Sequence, residues 1–115
     1  MPNTSSGSVK VFYPLFNREE LLALLRRRIP PLQSKLPLRR VVLFGSYARG
    51  RQTAASDIDL LIVYAGEPRE DAYALVRRTL NIRGLQPHLY TQQEYEQVRA
   101  TVERMVRGGI PVVES

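Results

Sequence analysis

The sequence predicts a small mixed α/β domain, a β-sheet with helices packed on it, and three observations carry that expectation. Short β-branched runs alternate with segments of helical periodicity. Two capping signatures, Asn17 with Glu20 and Thr91 with Glu94, each open a helical stretch. The run ending at Tyr64 is apolar on both faces, as a central strand is. At 115 residues the chain reads as one domain over residues 9–115, preceded by a flexible N-terminus at residues 1–8.

Taken in order, residues 1–8 are polar and read as mobile. Val9 to Leu15 is apolar but short and carries Pro14, so it reads as an edge strand or a docking arm. Asn17 and Glu20 form a capping box, and Phe16 can staple onto Leu21. Leu21, Leu22, Leu25 and Ile29 make the apolar stripe of a helix running to about Ile29, where Pro30-Pro31 stops it or bends the next turn. Val41 to Phe44 reads as a buried strand ended by Gly45. Ser46 to Gly50 reads as a short helical segment, Arg51 to Ser56 as a polar loop, and Asp57 to Tyr64 as a second strand. A helix opens at Glu67-Pro68, buries Ala72, Leu75, Val76 and Leu80, and stops at Gly84. Leu85 to Tyr90 is a third strand, placed at an edge by Pro87. The last helix buries Tyr95, Val98, Val102 and Met105 and ends near Gly108-Gly109, with Ile110 to Val113 as a closing strand.

The chemistry concentrates between Val41 and Tyr64. Gly45 lets a phosphate approach the backbone closely and accepts a positive φ. The free N–H groups and positive dipole end of the segment after it suit a triphosphate, and the Ser46 hydroxyl adds a donor. Side chains alternate along a strand, so Asp57 and Asp59 share a face with Leu61 and Val63, while Ile58, Ile62 and Tyr64 take the other. Carboxylates one pleat repeat apart can hold a pair of Mg²⁺ ions roughly 3.5–4 Å apart, bridging triphosphate oxygens. A Gly-Ser pair alone can be only a turn, and Asp-x-Asp alone only a solvated strand end. In this order, on a strand–turn–strand frame, they point to a nucleotide site. Arg49 and Arg51 lie between them and either neutralise phosphates or belong to a solvated loop.

Composition narrows the classes. The chain has no cysteine, hence no disulfide and no thiolate zinc site. It has no apolar run of membrane-spanning length and no apolar signal core at its start, which fits a cytoplasmic protein without a membrane partner. The net charge of +6 is uneven: residues 1–56 carry 10 Lys+Arg against 2 Glu, and residues 57–115 carry 7 Arg against 9 Asp+Glu. The clusters Arg26-Arg27-Arg28 and Arg39-Arg40 could bind RNA or an acidic partner, although a charge run on a helix is more often a solvated face.

Gly45-Ser46, a ten-residue gap and Asp57-Ile58-Asp59, within Ser-Asp-Ile-Asp-Leu at Ser56 to Leu60, match without insertion the signature of the minimal nucleotidyltransferases (MNT) of the DNA polymerase β superfamily. From about Asn17 onward the chain resembles that family. The resemblance implies its palm-like nucleotidyltransferase fold and transfer of NMP, commonly AMP from ATP, with Mg²⁺. It implies Asp57 and Asp59 as catalytic metal ligands and Gly45, Ser46, Arg49 and Ser56 as nucleotide-binding residues. It also implies a partner: many members are encoded beside a HEPN-domain protein, an RNase toxin that the nucleotidyltransferase adenylylates as its antitoxin.

One departure stands out. Active members of the family often carry a third carboxylate on a later strand, in a run like V-D-L-V-T. The matching stretch here, Pro87-His88-Leu89-Tyr90-Thr91, puts His88 in that place. A neutral imidazole could ligate a metal or accept a proton, but it brings no negative charge, and Mg²⁺ prefers oxygen. His88 reads equally as a strand-end residue without a special role. Glu94 is explained by helix capping rather than as a substitute ligand. Two functions are open: an enzyme that adenylylates a partner protein, or a nucleotide-binding module with impaired turnover that neutralises its partner by forming a complex.

Overall fold

Asn17 starts the first helix as its capping box requires. Its side chain accepts from the Glu20 N–H at 2.7 Å, and Glu20 Oε1 accepts from the Asn17 N–H at 2.9 Å. The computed structural model describes residues 16–53 and 56–114. The expected flexible segment 1–8 and the arm Val9 to Leu15 lie outside them. Helix α1 (Arg18–Gln33) leads to strands β1 (Leu38–Phe44) and β2 (Ile58–Tyr64), then α2 (Ala72–Leu80) and β3 (Leu85–Thr91). Two short helices, α3 (Gln92–Gln97) and α4 (Arg99–Met105), precede β4 (Ile110–Glu114). The sheet runs β3-β2-β1-β4, with β2–β3 parallel and the other two pairings antiparallel.

Both faces of the sheet are covered. Val41, Leu43, Ile58, Leu60, Ile62 and Tyr64 pack under α1 and α2 with Leu21, Leu25, Leu32, Val76 and Leu80. Val42, Phe44, Leu61 and Val63 pack on the opposite face with Val102 and Val106. This is the expected alternation of β2, whose neighbours on both sides make it central. The two outer strands carry Pro87 and Pro111, which lack an N–H and blunt the free edges.

Four expectations are corrected. Helix α1 runs through Pro30-Pro31 to Gln33 instead of ending near Ile29. Both prolines are exposed, so the carbonyls that lose their donors face water, while Leu32 beyond them is fully buried and holds the last turn. Helix α2 starts at Ala72, not at Pro68. Arg69 ties down the preceding loop through Asp71, the Lys35 carbonyl and the Tyr64 hydroxyl. Its end comes at Asn81, which takes the left-handed conformation at φ 49°, ahead of Gly84. The last helix is broken at Val98, which is exposed, so that residue leaves the expected core stripe. The break brings the Tyr95 hydroxyl to 2.5 Å from Glu103 Oε2, whereas a straight helix would hold those residues about 12 Å apart along its axis.

Candidate functional site

Antiparallel pairing places Phe44 opposite Asp59, so the end of β1 and the start of β2 share one end of the sheet. Gly45 comes next with φ +79°, and a Cβ built on it would stand 2.5 Å from Asp59 Oδ2. The carboxylate of Asp59 therefore occupies the notch that the missing side chain leaves. Both the backbone angle and the contact demand glycine here.

Beyond Gly45 the chain forms consecutive turns, not the short helix expected at Ser46 to Gly50. Arg49 N–H donates to the Gly45 carbonyl at 3.2 Å, Gly50 N–H to Tyr47 at 3.3 Å, and Arg51 N–H to Ser46 at 2.9 Å. These spacings of four, three and five residues cannot belong to one regular helix. Tyr47 and Ala48 are buried against the α1 side of the core, and Arg18 Nη1 donates to the Ala48 carbonyl at 3.0 Å. Burial pushes the Tyr47 phenol up, against an opposing hydrogen bond with the Phe16 backbone. The start of α1 thus braces the turn from beneath. Sequence reasoning missed Arg18, because nothing local marks a contact spanning thirty residues.

Asp59 is half-buried. Its Oδ1 lies 3.3 Å from Nε2 of His88, and the two side chains are 30% and 35% exposed. The His88 ring also packs on Phe44, centroids 5.0 Å apart at 59°. Parallel pairing sets Leu61 beside His88, so His88 falls diagonally from Asp59 on the same face. Asp57 is exposed and stands just before β2, which begins at Ile58, one residue later than expected. Arg49 and Arg51 are exposed and form no ion pair among the described residues. Ser46 sits half-exposed at the rim. The Ser56 hydroxyl is engaged in closing its loop, accepting from the Thr53 N–H at 2.8 Å.

Asp59 and His88 are the donors in contact, and exposed Asp57 stands two residues before Asp59 on the chain. Among the described residues no three or more His, Cys, Asp or Glu side chains group to hold a metal by themselves. Two aspartates are as many carboxylates as magnesium commonly takes from a protein, the rest of its shell being water and substrate phosphates.

Two other arginines of the basic half, Arg28 and Arg40, are structural. Arg28 donates to the Leu80 and Asn81 carbonyls at 2.7 and 2.9 Å, capping the end of α2. Arg40 pairs with Glu103, which the guanidinium and then the Tyr95 hydroxyl hold below the usual carboxylate range. A groove of about 230 Å³ opens beside this cluster, lined by Arg39, Arg99 and Glu114 among others, at the opposite end of the sheet from Gly45. No described helix is long and apolar enough to cross a membrane.

Comparison with known proteins places the family and the fold. Two proteins of Methanocaldococcus jannaschii, each named as a candidate protein adenylyltransferase, are 44% and 42% identical over 45 residues, 39% of this chain. The chain spans about half the length of these curated relatives, 46% and 45%. A candidate nucleotidyltransferase of Sulfolobus solfataricus superposes with a TM-score of 0.59 at 24% identity, covering 91% of this chain and 90% of that one. That likeness establishes the fold. A structure described as a toxin–antitoxin with AMP-PNP superposes with a TM-score of 0.54 at 25% identity, covering 87% of this chain and 75% of that one. The profile of the nucleotidyltransferase domain matches residues 25–108, from the middle of α1 to the turn before β4, and the chain therefore belongs to the nucleotidyltransferase domain family.

Proposed function

We propose that the protein is a magnesium-dependent protein adenylyltransferase that transfers AMP from ATP to a hydroxyl of a partner protein, acting as the antitoxin of a HEPN RNase toxin in the cytoplasm. The observation that carries this reading is the docking of Asp59 in the notch of Gly45. It fixes a carboxylate against the turn that would receive the triphosphate. The relatives named as candidate protein adenylyltransferases support the reaction class, and the toxin–antitoxin neighbour with AMP-PNP supports the nucleotide and the partner.

Gly45 and Ser46 offer backbone and hydroxyl donors to the triphosphate, and Arg49 offers a bidentate cation. Asp57 and Asp59 are the residues that would hold divalent magnesium, which supplies neutralisation of phosphate charge when bound. The acceptor hydroxyl attacks the α-phosphorus in line, forming a P–O bond as the bond to the β-phosphate oxygen breaks. Pyrophosphate leaves, and the hydroxyl proton passes to solvent. The chain's contribution is position and charge rather than covalent chemistry. Ser56, already bonded to Thr53, would act by closing the loop between the turn and Asp57.

The test is label transfer from α-labelled ATP to the partner encoded beside this chain. Wild type should label it, and Asp57→Asn with Asp59→Asn should reduce labelling by at least about a thousandfold while the complex still forms. A double variant that still neutralises the partner would sink adenylylation as the mechanism.

A second reading draws on His88, which stands beside Asp59 where the family resemblance implies a carboxylate. In that reading the chain binds nucleotide and neutralises its partner by occlusion. ATP binding and a stable complex without label would establish it. A gain of labelling on His88→Asp would instead mean that turnover is only impaired.

A further inference from the structure

We propose that His88 converts the Asp59 site into a mixed nitrogen–oxygen cation site that prefers manganese(II) over magnesium. The inference rests on the nucleotide-site reading above and deepens it. Three observations carry it.

The first is the spacing of the donors. Asp59 Oδ1 and His88 Nε2 are 3.3 Å apart. Two neighbouring donors of an octahedral ion with bonds of about 2.1 Å lie about 3 Å apart. The pair can close on one ion with a shift of a few tenths of an ångström. The second is that both donors are fixed beforehand. Asp59 Oδ2 sits in the notch of Gly45 while Oδ1 faces His88, and the His88 ring packs on Phe44. The third is the chemistry of the set. With His88 in place of a carboxylate the site carries one negative charge fewer. That weakens its hold on magnesium, which wants oxygen, while divalent ions of the first transition row, manganese(II) the weakest of them, accept an imidazole nitrogen more readily.

The sole histidine of the chain gives a direct readout. Untagged protein with ¹⁵N-labelled histidine is loaded with manganese(II) and a non-hydrolysable ATP analogue of natural isotope content, and studied by pulsed electron paramagnetic resonance. A ¹⁵N coupling on the manganese is expected, distinct from any ¹⁴N coupling of the adenine, and it must come from His88. Titration against magnesium should show manganese bound at least about tenfold more tightly. His88→Ala should cut manganese affinity about 10–100-fold, and His88→Asp should shift the ratio toward magnesium. Thermal melts establish that each variant is folded, and His88→Gln, close enough in shape to keep the strand, serves if alanine is not.

Bound manganese without ¹⁵N coupling, or a manganese-to-magnesium ratio unchanged in His88→Asp, would overturn the proposal. His88 would then only hydrogen-bond Asp59, and the adenylyltransferase reading would stand on its own label-transfer test. No manganese bound even with nucleotide would overturn the proposal as well, and magnesium-supported label transfer would still decide the adenylyltransferase reading.

Discussion

The Gly45–Asp59 contact is the tightest constraint at the residue scale. Alanine at 45 meets two penalties: a left-handed backbone angle, worth about 1–2 kcal/mol, and a methyl 2.5 Å from Asp59 Oδ2. Gly45→Ala should lower stability by at least that first amount and weaken nucleotide binding together with it, because Asp59 must swing away. A melt combined with nucleotide titration checks this. Wild-type affinity in Gly45→Ala would mean that the notch does not set the carboxylate. Arg18 is the quieter residue here. Arg18→Ala removes one hydrogen bond to the turn, worth about 1 kcal/mol, and should raise amide exchange across residues 46–51 before it affects the rest of the fold. Uniform exchange throughout the chain would make Arg18 a global rather than a local brace.

At the scale of elements, α1 carries two exposed prolines and is held beyond them by buried Leu32. A proline in a helix interior costs up to about 3 kcal/mol against alanine, and part of that returns through the stiffer unfolded chain. Pro30→Ala should therefore raise the melting temperature, since Pro30 is exposed. A fall would show that Pro30 is needed to lead the helix into β1. Gln33 shows why the end of the helix matters. Its side-chain amide donates to the Leu38 carbonyl at 3.2 Å and accepts from the Leu38 N–H at 3.0 Å, pairing like a strand residue to close the α1–β1 loop. At the other end, Gly109 lets the α4–β4 turn sit on β1, for a Cβ there would lie 2.7 Å from Val42 Cγ1 and 2.9 Å from the Leu43 carbonyl.

Across the whole molecule, the Arg40–Tyr95–Glu103 cluster ties the start of β1 to the broken helix, far from the nucleotide end. Because Arg40 and Tyr95 hold the Glu103 carboxyl down, its folded-state titration lies below its unfolded one. The stabilisation is complete above about pH 4.3, the unfolded value, and is lost as pH falls through the depressed folded value. Glu103 is 42% exposed and Arg40 27%, so solvent screening limits the ion pair to at most about 1 kcal/mol. Glu103→Gln should cost that much near neutrality and flatten the acid limb of the stability curve, as urea melts at several pH values would show. An unaltered acid limb would assign the acid sensitivity to other carboxylates.

The site's ingredients and the element order were legible in the chain before any packing. Gly45, Ser46, Asp57 and Asp59 are close along the chain, and both capping boxes are local patterns, so short-range chemistry revealed them. Helix boundaries were less so, since buried Leu32 overrides the two prolines and Arg69 delays α2, contacts no local window contains. Three-dimensional packing alone settled which carboxylate oxygen fills the notch of Gly45, that Arg18 braces the turn, and that His88 meets Asp59. The physical reason is the same for all three. Strand pairing and helix docking bring together residues that lie 14 to 30 positions apart, and register, not local propensity, fixes which atoms meet.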